Sequence, residues 1–160
     1  MFKLFENSHI CEAIKPQTAA GAKSGDWVSL KGYDGCLILV QIAQGNAATT
    51  AITVDKATEV AGSTTSDGIT MNNWWYLLDT PTTASIWTKG TAAASITSSA
   101  TGTGSSLYAI EIKAAELGAY DCIQLELGAS DVANVVAASY ILYNGRYDGP
   151  VAMNVDAVKD

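Results

Sequence analysis

His9, Cys11 and Glu12 bring the one histidine of the chain close to a thiol and a carboxylate. On a strand, His9 and Cys11 fall on one face, yet a structural zinc site needs four donors and no further ligand stands nearby in sequence. No metal is therefore expected. A serine or cysteine nucleophile needs a base, and His9 is the only imidazole, with no G-x-S-x-G elbow to accompany it. Two carboxylate pairs, Asp67 with Asp79 and Glu111 with Glu126, have the residue types of a glycosidase. Glu111 and Glu126 alternate with apolar residues, which places them on the wet face of strands. The segment "GTGSS" at 102–106 lacks the lysine and the following helix of a phosphate loop. The residues point away from an enzyme: no catalytic residue and no cofactor site are expected.

Aromatic side chains offer contact rather than catalysis. In "NNWWYLLDT", residues 72–80, alternation sets Trp74 and Tyr76 on one face and Trp75 and Leu77 on the other. One tryptophan should enter the core and the other stay outside it, under a loop, in a protein interface or as a sugar-stacking platform. Tyr140, Tyr143 and Tyr147 surround the sole arginine, Arg146, with Asn144-Gly145 as an expected turn. Phe2, Leu4, Phe5 and Ile10 make the beginning of the chain more apolar than a solvated tail requires. The expected contact residues are thus Phe2, Leu4, Phe5, Ile10, Trp74, Trp75, Tyr76, Tyr143, Arg146 and Tyr147.

These residues need a frame, and composition bounds it. The 160 residues suit one domain, with 48% apolar and only 16% charged residues against roughly 25% in an average chain. Net charge is −7, and the nine basic residues are scattered singly, so no stripe exists to neutralise successive phosphates and nucleic acid is not an expected partner. No run approaches the ~18 apolar residues of a membrane span, and the start lacks the apolar stretch of a cleaved signal. Cys11, Cys36 and Cys122 are odd in number without C-x-x-C spacing, which favours reduced thiols and folding in a cytoplasm. Cys36 and Cys122 each open an apolar run and are expected to be small buried hydrophobes, a Cys36–Cys122 bridge being the alternative.

Short β-branched and aromatic runs alternate with Gly, Asn, Asp, Ser and Thr. They predict strands near 9–14, 26–31, 35–43, 48–54, 69–78, 84–89, 106–113, 120–127 and 135–143. The fold class is all-β: a single antiparallel, jelly-roll-like β-sandwich over 24–145, with flexible arms at 1–23 and 146–160. "AIEIKA" and "DCIQLELG" read as strands with one wet face, whereas "CLILVQI" is apolar on both faces and should run mid-sheet beneath a covering partner. "YDGCLILVQIAQGNAATTAITV" reads as a hairpin, echoed by Tyr120-Asp121-Cys122 and the run that follows it. "DKATEVAG" and "KAAELG" predict single helical turns closed by glycine. Thr88–Ser106 reads as an exposed low-complexity loop with one weak strand near Ile96. The arm is expected to grip a partner, the alternative being an edge strand of its own domain.

The segments "SGDWVSLKGYDGCLILVQIAQGNAATTAITVDKATEVAG" and "AYDCIQLELGASDVANVVAASYILYNGRYDGP" resemble a family of small proteins encoded among the virion-structure genes of tailed bacteriophages. The resemblance spans about residues 24 to 150 and is absent around 85–105. It implies a capsid decoration or cement protein, trimeric on a shell of the HK97-like fold, with the major capsid protein as partner and the virion surface as location. A neck, tail or spike component, and a carbohydrate-binding module using Trp74 or Trp75, are the alternatives.

Overall fold

A computed structural model describes residues 8–62, 65–66, 68–79, 86–100 and 104–145. The chain pairs with itself in reverse order, the first half against the second. β1 (Ser8–Thr18) lies on β12 (Val135–Tyr143); β2 (Lys23–Ser24) and β3 (Val28–Ser29) lie on β11 (Cys122–Leu127); β4 (Gly35–Gln44) lies on β10 (Gly104–Lys113). β5 (Ala51–Ala57) takes β6 (Thr65–Ser66) and β9 (Ile96–Thr97), while β7 (Asn73–Asp79) extends beyond β10 and carries β8 (Thr88–Lys89). Rolled up, this ribbon makes two antiparallel sheets. Sheet I runs β1-β12-β4-β10-β7-β8; sheet II runs β2-β11-β5-β6, with β3 beside β11 and β9 beside β5. The architecture is a β-sandwich with the strand pairing of a jelly roll.

Alternation builds the core. Cys36, Ile38, Val40 and Ile42 of β4 are buried and stand level with Ile112, Ile110, Tyr108 and Ser106 of β10. Across the gap, Ile123, Leu125 and Leu127 of β11 and Ile52 and Val54 of β5 close the interior. The Tyr140 hydroxyl, deep in the core, accepts the Leu125 N–H at 2.8 Å and donates to the Asp26 carbonyl at 3.1 Å. It supplies the acceptor that sheet II lacks where β2 gives way to β3.

The stretch from Tyr33 to Val54 is not a hairpin. β4 belongs to sheet I and β5 to sheet II, so the turn at Gly45–Asn46 carries the chain from one sheet to the other. Two strands whose apolar faces must meet cannot also share a ladder. The echoed segment crosses the other way, from β11 to β12, and the two crossings lie together. Asn134, only 1% exposed, accepts the Gly45 and Asn46 N–H groups at 3.0 Å and donates to the Ala48 carbonyl and the Ser130 hydroxyl at 3.0 Å.

Other expectations shift as well. The strand expected at 9–14 is present as Ser8–Thr18, an edge strand on β12 with Ile14 in the core, which is the stated alternative to an arm that grips a partner. Residues 1–7 and 146–160 lie outside the described residues, and with them Phe2, Leu4, Phe5, Arg146 and Tyr147. The helical turn expected at 55–62 is instead the end of β5 and a turn, while Ala114–Leu117 does form a 3-10 turn; Gly62 and Gly118 close these segments at φ +64° and +68°. The predicted exposed loop is tied down over part of its length. Ile96 is buried, and Ser98 exchanges hydrogen bonds with the Thr50 backbone, its hydroxyl accepting the Thr50 N–H at 2.8 Å and its own N–H donating to the Thr50 carbonyl at 2.8 Å.

Candidate interaction surface

β7 sorts the aromatic residues. Tyr76 and Trp74 stand level with the inward-facing Tyr108 and Ile110 of β10, so both point to the interior side, and their rings lie 5.7 Å apart. The Trp74 indole N–H donates to the Thr91 carbonyl at 2.8 Å, and Gly90 passes so close to the ring that any side chain there would collide with it. Trp74 is therefore built into the fold. Trp75 points the other way, half-buried, with the Lys89 ammonium 5.9 Å from its ring centre. Rings on opposite faces of one strand make no common platform for a sugar.

Two clefts flank this arrangement. One, of about 330 Å³, opens between Trp74, Tyr76 and Leu78 on one side and Thr97, Ser99 and Tyr108 on the other; the Tyr108 hydroxyl accepts the Ser99 N–H at 2.9 Å. The Gln44 amide donates to the Ser99 carbonyl, so both backbone polar groups of Ser99 are occupied. The other, of about 410 Å³, is polar and includes Tyr33, Asp34, Glu111, Lys113 and Tyr143. There the Tyr143 hydroxyl donates to Glu111 at 2.9 Å, and burial together with that carboxylate pushes the phenol well above its ordinary range. Asn144 follows at φ +52°.

The largest feature is the outer face of sheet I. β4 turns Leu37 and Leu39 outward, level with Ala109 and Glu111 of β10 and with Ser139 and Ile141 of β12. Leu107 is level with Leu77 of β7, and Ala109 with Trp75. At the β1 edge Ile10, 47% exposed, stands opposite Ile141. The outer side of β10 is polar at Ser105, Glu111 and Lys113, while Leu107 and Ala109 between them continue the apolar surface begun by β4. At the other edge, Ile86 and Trp87, just before β8, are 69% and 45% exposed. Sequence reading found Ile10 and Trp75 but missed Ile86 and Trp87, although "SIW" was a visible apolar cluster.

His9 and Cys11 face the interior side of β1, level with Leu142 and Tyr140. Among the described residues no group of three or more His, Cys, Asp or Glu side chains converges as a metal site, and no helix is long and apolar enough to cross a membrane. Cys36 and Cys122 are buried free thiols in different sheets, and burial pushes both upward, Cys122 to about 12.

No protein-family profile matches the sequence, and no curated protein matches it. Solved structures do. The SPBc2 prophage-derived protein YomS is 8% identical, with a TM-score of 0.48 over 85% of this chain and 92% of that one. A carbohydrate-binding module from the glycoside hydrolase family 9 protein Cel9A of Ruminococcus flavefaciens FD-1 is 13% identical, with a TM-score of 0.40 over 86% of this chain and 97% of that one.

Proposed function

We propose that the chain is a non-enzymatic structural protein of a tailed-phage virion, a decoration or cement subunit that binds an HK97-fold shell and stabilises it as a trimer. One observation carries the reading: on the outer face of sheet I half-buried Leu37, Leu39, Trp75, Leu77, Leu107 and Ala109 adjoin one another, with Ile10 exposed at the β1 edge. A contiguous apolar patch of this kind marks a contact with another protein. The virion-gene resemblance of residues 24 to 150 supplies the setting, and the major capsid protein is the partner. A clamp across capsomer joints needs a rigid body with sticky faces, and a jelly roll presents flat faces of that kind.

Quantitative mass spectrometry of purified virions tests this reading. Decoration requires hundreds of copies per particle, and the purified protein should add to undecorated shells and raise their melting temperature. A copy number of about a dozen would move the chain to the neck or tail; absence from the particle would end the virion reading.

A further inference from the structure

We infer that the cleft between β7 and the segment that follows β9 binds a neutral sugar ring, which stacks on Tyr76 and Trp74 and meets hydroxyl groups on the opposite wall. The site lies on the interior side of β7 and is separate from the surface assigned to assembly. Trp74, Tyr76 and Leu78 face the cleft, whereas Trp75 and Leu77 belong to the outer face.

The lining selects the class of ligand. Its described residues are Trp74, Tyr76, Leu78, Thr97, Ser99 and Tyr108, none of which carries a formal charge. A phosphate, carboxylate or ammonium would leave water there without a counter-charge, which is costly. A purely apolar guest would strip water from the hydroxyls of Thr97 and Ser99 and return no hydrogen bond. A sugar ring suits both walls, because it has an apolar C–H face and a rim of hydroxyls. The volume of about 330 Å³ lies near the lower end of the roughly 300–1,000 Å³ of small-molecule sites, which gives room for one ring rather than a chain.

Both walls are fixed in advance. Trp74 is held by its bond to the Thr91 carbonyl and by Gly90 against its ring, and the Tyr76 ring plane is tilted 35° from it. Opposite, the Tyr108 hydroxyl and the Gln44 amide secure the backbone of Ser99, so this wall offers side-chain hydroxyls. A second observation points to a ligand independently. Ser106, only 2% exposed on the interior side of β10, stands level with Leu78 and two residues before Tyr108, and its hydroxyl has no hydrogen-bond partner among the described residues. Buried hydroxyls in folded proteins are paired, and the cleft beside Ser106 is the route by which a partner reaches it. A ligand hydroxyl, directly or through one water, supplies that bond.

Titration of the full chain with the methyl glycosides of glucose, galactose, mannose and N-acetylglucosamine, followed by proton–nitrogen NMR, tests the inference. At least one glycoside should move the Trp74 indole signal and the Ser99 amide signal saturably, with a Kd of order 1 mM. Tyr76→Ala should weaken binding about tenfold. Ser106→Ala should weaken it about threefold without lowering the melting temperature, because the hydroxyl it removes has no partner in the free protein. Thr97→Trp, made at an exposed position, should block the cleft and serves in case Tyr76→Ala does not fold. Trp75→Ala, on the other side of β7, should leave binding unchanged. The inference is overturned if no glycoside moves these signals at tens of millimolar, if the shifts centre on Trp75, or if Thr97→Trp and Ser106→Ala bind as tightly as wild type. Saturable binding of N-acetylphenylalaninamide in place of every glycoside would assign the cleft to an aromatic side chain of a partner and would overturn it as well. Virion copy number reads the proposed function separately, and either result can fail without the other.

Discussion

On β11 the outward residues are Gln124 and Glu126, level with Asp55 and Thr53 of β5; the equivalent positions of β4 and β10 are Leu37, Leu39, Leu107 and Ala109. Both sheets cover the same core, but on the outer side of sheet I leucines stand among Gln41, Ser105, Glu111 and Ser139 where sheet II carries Gln124, Glu126 and Asp55. One solvated face is all that an antiparallel sheet needs for solubility. Both sheets contribute buried side chains to the one core, so the asymmetry of interest lies in the outer surfaces. At the end of β5, Lys56 stands level with buried Ile123, and its ammonium lies 4.8 Å from the ring centre of Tyr120, which packs against the core.

The sharpest way to probe the comparison is to truncate neighbours on the two sides of one strand. Ile38→Ala, in the core, should lower unfolding free energy by about 3 kcal/mol or more, through lost burial and the cavity left behind. Leu39→Ala, one residue away on the outer face, should cost about 1 kcal/mol or less in the monomer, while weakening self-association. Urea unfolding at low and high protein concentration separates the two effects. Equal costs at low concentration would mean that the outer face is covered within the monomer.

Next in size is the joint between the sheets. Asn134→Ala removes a side chain that satisfies two backbone N–H groups and one carbonyl across both crossings, and should cost about 2–3 kcal/mol. Asn134→Asp should recover part of this, since its carboxylate still accepts from Gly45 and Asn46 but no longer donates to Ala48.

The last test, confined to alkaline pH, treats one thiol from each sheet. Burial raises the folded-state pKa of Cys122 from 9.0 to about 12 and that of Cys36 further. The unfolded chain therefore loses these protons first as pH rises. Their contribution is intact below about pH 9 and is lost through the window from 9 to 12, at about 1.4 kcal/mol per pH unit for each thiol. Alkaline melts of Cys122→Ala should show a shallower decline than wild type. At neutral pH both thiols should resist alkylation until the chain unfolds.

Much of the fold was legible because alternation is a local signal. Nearly every long strand lies where β-branched and aromatic runs placed it, and the split between Trp74 and Trp75 follows from parity alone. The two-sided character of "CLILVQI" likewise announced a mid-sheet strand with an apolar outer face. What was not legible depended on partners distant in sequence. The turn after Gln44 has hairpin chemistry, and only the need to place β4 and β5 on facing sheets makes it a crossing. Asn134 gave no signal, since its four hydrogen bonds reach residues more than eighty positions away as well as its near neighbour Ser130. Ser8–Thr18 resembled an arm because its lysine, proline and glutamine stand on an exposed edge, where a strand pairs on one side only. The Ile86–Trp87 edge was hidden by the low-complexity sequence around it.

Hydroxyl-radical footprinting of the assembled chain against the dilute monomer tests the central claim most directly. Oxidation of Leu39, Trp75 and Leu107 on sheet I should fall severalfold on assembly, while Tyr120, just before β11, keeps its monomer rate. Unchanged rates on sheet I, or protection confined to sheet II, would contradict the assignment of the outer face of sheet I as the surface of assembly.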